Sequence, residues 1–204
     1  MVEDPTINTE NESLGLVLVP GITSGEELFD MLEHSLDFSS VRVETWNGSE
    51  DLEEMTLSEL HELIDERIRL LEEYGCESIG VVGKSFGGQL ALTSRPEVDF
   101  LVLWAPAVGF GEDNVEKWRS TLLKHAQTAT DISVDKSFLG KIDSRVKIIH
   151  GTEDEVVDVG NSRKICESLP ICEFEEIEDA GHSFTENRDL VIEETVSFLN
   201  QQVS

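Results

Sequence analysis

Residues 83–88, Gly-Lys-Ser-Phe-Gly-Gly, lie between an apolar run and a stretch with the composition of a helix. The preceding residues 78–82 are Ser-Ile-Gly-Val-Val, and the following residues 89–92 are Gln-Leu-Ala-Leu. This pattern predicts a strand, a sharp turn with Ser85 at its apex, and then a helix. Glycine two residues before and two residues after the serine avoids side-chain collisions across so tight a bend. The turn would hold the Ser85 hydroxyl above the edge of a sheet, at a helix N-terminus that favours negative charge.

The rest of the chain alternates in the same way between short apolar runs and stretches with helical spacing. Strands are predicted at residues 14–19, 41–46, 78–83, 100–104, 146–150 and 173–177. Helices are predicted at residues 26–36, 87–94, 160–168 and 189–199, and between Thr56, which starts a capping box with Glu59, and Gly75. Strands alternating with helices imply an α/β fold: a three-layer, doubly wound, mostly parallel six-stranded sheet with helices on both faces.

The length of 204 residues is that of one domain. Residues 1–12 are polar and are expected to be frayed or disordered, which leaves residues 13–204 as the folded domain. Residues 107–140 are the least regular part, and we expect them to form a short lid-like insertion with one amphipathic stretch at 115–125. The acidic start of the chain does not resemble a signal peptide, and no apolar run approaches the ~20 residues of a membrane span, so a soluble, cytoplasmic protein is expected.

The charge balance is extreme, with 15 Lys and Arg against 43 Asp and Glu and a formal net charge of -28. Nucleic acid and anionic membranes are therefore not expected as partners, because binding them depends on basic residues. The acidic residues are scattered through every segment, which is typical of a solvated surface in a protein from a salt-accumulating halophile. We accordingly predict that the protein is more stable in molar salt, which screens its self-repulsion. Equal melting temperatures in dilute buffer and in concentrated potassium chloride would refute this hypothesis.

The three cysteines, Cys76, Cys166 and Cys172, form no Cys-x-x-Cys pair and have no histidine nearby at a spacing typical of zinc. Because their number is odd and no secretory signal is present, a disulfide framework is not expected, and all three are interpreted as separate thiols. No metal and no cofactor are predicted, and the sequence does not indicate an oligomeric state.

Ligands of such sheets bind beyond the carboxyl ends of the strands, at residues 20–24, 84–88, 151–158 and 179–184 in this chain. A serine hydroxyl there needs a base, usually histidine, and the histidine needs a carboxylate that holds its tautomer. Residues 150–157 are His-Gly-Thr-Glu-Asp-Glu-Val-Val, and residues 179–184 are Asp-Ala-Gly-His-Ser-Phe. Serine, acid and histidine thus follow one another in chain order, each at a predicted strand end.

In these three motifs the sequence resembles the α/β-hydrolase superfamily over residues 14–200, in a minimal six-stranded version. The resemblance implies Ser85 as nucleophile, His182 as general base and then acid, and Asp154 as the orienting carboxylate. It also implies an oxyanion hole formed by the backbone N–H groups of Phe86 and Ile22. Two departures are notable: many relatives have His-Gly where this chain has Pro20-Gly21, and many have proline where it has Asp158.

Several residues near these motifs compete for a role or have a plainer interpretation. The alternative acids are Glu153, Glu155 and Asp158, interpreted as solvated, and Glu112 or Asp113 after the fourth strand. The other histidines are interpreted as a packed structural residue, His150, and as surface residues, His34, His61 and His125. Lys84 is interpreted as solvated or ion-paired, with attraction of an anionic substrate as the alternative. An acyl pocket is predicted from apolar side chains at Phe110, Trp118, Val157 and Phe184, whereas core packing is at least as good an interpretation of Trp104.

The resemblance favours a carboxylesterase-like serine hydrolase that cleaves small esters or related acyl compounds through an acyl-enzyme. A thioesterase or a peptidase would use the same groups, and a non-catalytic binding module built on this fold is the alternative from another class. If the protein is a binding module, Ser85→Ala should leave its function unchanged. If it is an enzyme, the same substitution should cause a loss of turnover.

Overall fold

The computed structural model describes residues 14–22, 26–36, 40–45, 55–94, 97–110 and 133–202. Within them, six strands form one parallel sheet: β1 Leu14–Val19, β2 Ser40–Glu44, β3 Ser78–Lys84, β4 Phe100–Trp104, β7 Arg145–Gly151 and β8 Cys172–Ile177. The strand order is β2-β1-β3-β4-β7-β8, and every neighbouring pair is parallel. The described helices are α1 Glu26–Ser35, α2 Leu57–Glu73, α3 Phe86–Ser94, α4 Lys136–Leu139, α5 Val159–Cys166 and α6 Arg188–Asn200.

Both faces of the sheet are covered by helices, which confirms the predicted three-layer α/β architecture. Side chains alternate between the two faces along each strand, so Val17 and Val19 of β1 enter one core, and Leu16 and Leu18 enter the other. Helices α2, α3 and α5 contribute to the first core, and α1 and α6 to the second. The central strands are therefore buried on both sides, which explains why they consist of nearly continuous apolar runs.

The ends of α2 follow from local side-chain chemistry, as the sequence predicts. The hydroxyl of Thr56 accepts a hydrogen bond from the backbone N–H of Glu59 at 3.3 Å, and the Glu59 carboxylate accepts one from the backbone N–H of Thr56 at 2.7 Å. This is the expected capping box. Beyond the other end, Gly75 has a φ of 84°, a conformation that glycine adopts without steric cost.

The region predicted as a lid is only partly within the described residues. Its two described flanks pair as short parallel strands, β5 Gly109–Phe110 and β6 Ser133–Val134, which the sequence analysis did not predict. Val134 is buried in the core shared with α2 and α3, so this flank is anchored to the body of the domain. The amphipathic stretch at 115–125 and the N-terminal residues 1–12 lie outside the described residues, and the predictions made for them stay predictions.

The cysteine interpretation is wrong for two of the three residues, because Cys166 and Cys172 form a disulfide. Helix α5 ends at Cys166 and β8 begins at Cys172, and the chain reverses between them so that the two Cα atoms are 5.4 Å apart. An odd cysteine count does not exclude a pair, because the pairing depends on the turn that brings the two ends together. Cys76 is a free, half-buried thiol. Among the described residues, no helix has the length and apolar character needed to cross a membrane.

Candidate active site

The turn after β3 holds Ser85 in a strained left-handed conformation, with a φ of 53°. Its backbone N–H donates to the carbonyl of Trp104 at 2.8 Å. Its carbonyl accepts from the N–H of Gln89 at 3.0 Å and from the N–H of Ala107 at 2.8 Å. These bonds to the neighbouring strand end and to the first turn of α3 keep the serine at the apex of the turn, above the carboxyl edge of the sheet.

The glycines around Ser85 are required by close backbone approaches. A Cβ atom on Gly87 would lie 1.9 Å from the carbonyl oxygen of Val19, and one on Gly83 would lie 2.6 Å from the carbonyl oxygen of Gly87. Both distances are far below van der Waals contact, and the obstructing atoms are backbone atoms. The contact at Gly83 is the predicted collision across the bend, whereas Gly87 is required for a different reason, the direct packing of the end of β1 against the start of α3.

The site lies where the strand order of the sheet reverses. From β1 the chain passes through α1 on one face to β2, whereas from β3 it passes through α3 on the opposite face to β4, on the other side of the β1–β3 pair. The carboxyl ends of β1 and β3 therefore form the switch point at which ligands of such sheets bind. Ser85 follows β3 at this point and is partly exposed.

The loops that follow β7 and β8 are fastened to each other beside the serine turn. A Cβ atom on Gly151 would lie 2.2 Å from the carbonyl oxygen of Ala180, so only glycine permits this approach. The N–H of Glu153 donates to the same Ala180 carbonyl at 2.9 Å, and the N–H of Asp179 donates to the hydroxyl of Thr152 at 3.0 Å. The acid loop and the histidine loop therefore form one connected platform.

The structure brings together the side chains of Ser85, Asp154 and His182. The Nε2 atom of His182 lies 2.9 Å from the Ser85 Oγ, and its Nδ1 atom lies 2.7 Å from the Asp154 Oδ2. Because a carboxylate oxygen is an acceptor, Nδ1 is assigned the proton, and Nε2 is left to accept a hydrogen bond from the serine hydroxyl. The side chain of His182 is 15 % exposed, so a small molecule can approach from the solvent side.

The Asp154 carboxylate is completely buried and surrounded by donors. Its Oδ1 accepts hydrogen bonds from the backbone N–H groups of Val156 at 2.8 Å and Val157 at 2.7 Å. Burial alone would raise the pKa of this carboxyl group, but hydrogen bonds from His150, His182 and the Val157 backbone outweigh it and hold the pKa well below its usual range. Asp154 is therefore ionised over the whole range in which a histidine titrates.

The alternative acids named from the sequence make other contacts, face solvent or lie outside the described residues. Asp158 caps α5, where its Oδ1 accepts from the N–H of Gly160 at 2.8 Å, and Glu153 and Glu155 are exposed to solvent. The alternatives Glu112 and Asp113 lie outside the described residues. Within the described part of the chain, Asp154 is the carboxylate that contacts His182 in the way expected of the orienting acid.

His150 is a second histidine on the same carboxylate, which the sequence analysis missed. The interpretation as a packed residue is confirmed, since its side chain is fully buried. However, its Nε2 also lies 3.0 Å from the Asp154 Oδ2. Its position four residues before Asp154, directly after the apolar pair Ile148-Ile149, was the available signal, because a buried imidazole requires polar partners.

Lys84 is only 1 % exposed, so the solvated alternative is wrong, whereas the ion-paired alternative stays a prediction. Lys84 is two residues beyond Val82 and shares its orientation toward the core beneath α1 and α6, a placement that the period of the strand would have indicated. Burial lowers the pKa of Lys84 to about 8, the charge of Asp154 opposes this shift, and the charge of Arg188 adds to it. Lys84 is therefore a buried cation on the Asp154 side of the site.

The remaining histidines lie on helices. His34 is exposed on α1, as predicted. His61 is half-buried, with its Nε2 3.1 Å from the Thr93 hydroxyl, so the surface interpretation is wrong for this residue, and burial lowers its pKa. His125 lies outside the described residues. Among the residues that the structure describes, no group of three or more His, Cys, Asp or Glu side chains converges to hold a metal ion.

Two of the four predicted pocket residues are packed in the interior. Val157 and Phe184 are both 0 % exposed, and the Phe184 ring belongs to the core beneath α1 and α6. Neither side chain faces an open cleft, because the loops that carry them fold back onto the sheet. Trp118 and the side chain of Phe110 lie outside the described residues. Trp104 is a core residue stacked on Phe29, with ring centroids 5.2 Å apart.

The predicted oxyanion donors lie on the two segments that meet at Gly87. Phe86 is the first residue of α3, and amides in the first turn of a helix face its N-terminal end. Ile22 follows β1 and is 8 % exposed, at the edge of the core shared with α2 and α3. The close contact of Gly87 with the backbone of Val19 and Pro20 brings these two segments side by side.

The sequence profile of the uncharacterised protein family UPF0227 matches residues 50–200, which include all three motifs of the site. The chain belongs to this family. No curated protein is significantly similar to the UPF0227 chain in sequence.

Solved structures resemble the UPF0227 chain over nearly its whole length. MGS-MChE2, an α/β-hydrolase enzyme from the metagenome of lagoon sediments at Mar Chica, Morocco, is 18% identical with a TM-score of 0.74, covering 98% of this chain and 99% of that one. Est1E from Butyrivibrio proteoclasticus, with ferulic acid bound, is 19% identical with a TM-score of 0.74, covering 98% and 93%. A structure from work on the metagenome-derived lipolytic enzymes LipS and LipT is 16% identical with a TM-score of 0.73, covering 93% and 94%. The fold of the UPF0227 chain is therefore the α/β-hydrolase fold, as the resemblance implied.

Proposed function

We propose that this protein is a serine hydrolase that cleaves small esters or related acyl compounds, with Ser85 as nucleophile, His182 as general base and acid, and Asp154 as orienting carboxylate. The observation that carries the proposal is the continuous series of contacts from Ser85 Oγ to His182 Nε2 at 2.9 Å and from His182 Nδ1 to Asp154 Oδ2 at 2.7 Å. A hydroxyl, an imidazole and a buried carboxylate in this arrangement have the composition and geometry of an activated nucleophile.

In the first half-reaction the Ser85 Oγ attacks the acyl carbon while its proton moves to His182 Nε2. The tetrahedral intermediate then collapses, the same proton passes to the leaving alcohol, and the acyl group remains on Ser85. In the second half-reaction His182 takes a proton from water, the resulting hydroxide attacks the acyl-enzyme, and Ser85 recovers its proton as the acid departs. No cofactor takes part in this sequence.

Asp154 acts through His182 in this mechanism. The imidazole becomes positively charged while it holds the serine proton, and an adjacent carboxylate stabilises that charge. Because hydrogen bonds hold the pKa of Asp154 low, the carboxylate stays ionised even when His182 is charged. The same bonds from Val156 and Val157 prevent the carboxylate from rotating away from Nδ1.

The oxyanion of the tetrahedral intermediate requires donors, and we assign this role to the backbone N–H groups of Phe86 and Ile22. The position of Phe86 at the start of α3 supports this assignment, since a helix N-terminus favours negative charge. The packing of the β1 end against Gly87 supports a second donor from the loop that contains Ile22. Each such donor contributes about 2.7–4 kcal/mol of barrier lowering in comparable sites.

A small carboxylic ester is the substrate class that we favour over thioesters and peptides. One of the similar structures is described with bound ferulic acid, a carboxylic acid, and another comes from work on lipase and esterase families. A screen of p-nitrophenyl esters of graded chain length, with a thioester and a peptide substrate in parallel, would choose between the classes. The partner is thus a small acyl molecule, and nucleic acid and membranes are not proposed as partners.

The test is covalent labelling with a fluorophosphonate probe, performed in dilute buffer and in concentrated potassium chloride. We expect the native protein to be labelled on the peptide that contains Ser85, and heat-denatured protein not to be labelled, because only the folded site activates the hydroxyl. Ser85→Ala should abolish labelling. Ser35→Ala, which alters an exposed serine of α1, should leave it unchanged. Native protein that resists the probe in both buffers, or labelling that survives Ser85→Ala, would favour the binding module instead.

A further inference from the structure

His150 is completely buried and makes three polar contacts. It lies on β7, one residue before the end of that strand. Its Nδ1 is 2.7 Å from the hydroxyl of Ser162 on α5. Its Nε2 is 3.0 Å from the Asp154 Oδ2 and 3.2 Å from the carbonyl oxygen of Val157. Every polar atom of the ring therefore has a partner, and all of the partners belong to the acid loop or to the helix that follows it.

These contacts determine which nitrogen of His150 carries the proton. Both atoms that face Nε2 are acceptors, a carboxylate oxygen and a carbonyl oxygen, so Nε2 is assigned the proton and donates toward them. Nδ1 then accepts a hydrogen bond from the Ser162 hydroxyl. The Ser162 hydroxyl, which can donate or accept, pairs with Nδ1 and holds the ring in its orientation.

The result is a carboxylate held from two directions. The Asp154 Oδ1 is bound by the backbone N–H groups of Val156 and Val157, within its own loop. The Oδ2 atom faces two imidazole donors, His182 at 2.7 Å and His150 at 3.0 Å. The loop bonds fix one oxygen relative to its neighbours in sequence, whereas among the contacts of the described residues it is His150 that ties the other oxygen to the sheet.

The connection to the sheet matters because the acid loop itself is exposed. Glu153, Glu155 and Val156 are exposed, and Val156 is 45 % exposed. A loop of this kind fluctuates more than the strand beneath it. The hydrogen bond from the buried His150 on β7 therefore restrains the Asp154 carboxylate even when the rest of the loop moves.

We propose that His150, whose ring is held in orientation by Ser162, is a positioning residue that keeps the Asp154 Oδ2 aligned with His182 Nδ1. This inference rests on the proposed function, because the alignment has a kinetic consequence only if His182 acts as the base. His150 touches neither the substrate nor Ser85 in this role. It acts through Asp154, and its removal should slow the chemical steps without weakening substrate binding.

The experiment compares two substitutions of His150 by steady-state kinetics on a p-nitrophenyl ester. His150→Leu removes the donor and keeps similar volume, and we expect kcat to fall about 10- to 100-fold with KM unchanged, since a small misplacement of a catalytic group has an effect of that order. His150→Gln retains an N–H donor near the position of Nε2 and should recover most of the lost kcat. His61→Leu is the matched control, because it also replaces a partly buried, hydroxyl-bonded histidine, and it should leave kcat unchanged.

Ser162→Ala is a second, milder variant in case His150→Leu does not fold, which circular dichroism and the melting temperature would reveal. It should reduce kcat alone, by less than His150→Leu does, because the ring stays but loses the hydrogen bond at Nδ1 that orients it. A folded His150→Leu or Ser162→Ala variant with wild-type kcat would overturn the proposal, and so would equal losses in His150→Leu and His150→Gln. If the wild-type protein itself neither reacts with fluorophosphonate nor turns over esters, the proposed function fails first and the inference about His150 fails with it.

Discussion

Replacing His182 with alanine is expected to lower kcat/KM for a p-nitrophenyl ester by about 10⁴- to 10⁶-fold while the protein stays folded. The reason is that Ser85 loses the atom 2.9 Å away that accepts its proton, so that the attacking species is a neutral hydroxyl. Because His182 is partly exposed and its ring makes hydrogen bonds only to other site residues among the contacts described, the fold should tolerate the change. Initial rates at pH 8, together with a thermal melt, would measure both effects.

His34→Ala is the control for this experiment, since it removes an exposed histidine from α1. It should leave kcat/KM unchanged. The wild-type rate should also fall as the pH is lowered, because a protonated His182 accepts no further proton. A loss of less than tenfold in His182→Ala, or a wild-type rate that is flat between pH 8 and pH 4, would exclude His182 as the base.

Replacing Gly87 with alanine is expected to be the most destabilising of the conservative substitutions in the turn. The new Cβ would lie 1.9 Å from the carbonyl oxygen of Val19 and 2.5 Å from that of Pro20, and backbone atoms cannot rotate away as a side chain does. Either the end of β1 or the start of α3 must shift. We expect this shift to lower the free energy of unfolding by about 3 kcal/mol or more. For a domain of this size that corresponds to a fall in melting temperature of roughly 6–12 °C.

Gly109→Ala is the matched substitution, because a Cβ at Gly109 meets nothing within 4 Å among the described atoms. Its melting temperature should be close to that of the wild type. Gly87→Ala should also lose fluorophosphonate labelling even at temperatures where it is folded, since the shift displaces Ser85 from His182. A Gly87→Ala protein with wild-type melting temperature and labelling would show that the packing of β1 against α3 is looser than the structure indicates.

The elements of the fold could be predicted closely because their causes are local. The strand at residues 14–19 and the strand at 100–104 are each a short apolar run bounded by polar residues or glycine and proline, and both are found at the predicted bounds. The capping box at Thr56 depends on residues three apart, which the sequence places together directly. The exceptions are the β5–β6 pair and the four-residue helix α4, which are too short to leave a periodic signal.

The three residues of the candidate site were also within reach of the sequence, since each follows a predicted strand and parallel strands end at one edge of the sheet. The pocket was not. Val157 and Phe184 are apolar residues in site loops, but whether an apolar side chain lines a cleft or enters the core depends on the direction in which its loop folds back. Phe184, with a φ of 55°, turns into the core under α6.

What the sequence determined by itself is the strand–turn–helix at Ser85 and the order of serine, acid and histidine along a wound α/β chain, because steric limits in a tight turn and side-chain periodicity act between near neighbours. Only the tertiary structure decided that Cys166 reaches Cys172 and that His150 shares the Asp154 carboxylate with His182. Each of these depends on a distance of a few ångströms between groups that meet after a chain reversal or across neighbouring elements, and such distances are set by the packing of the whole domain.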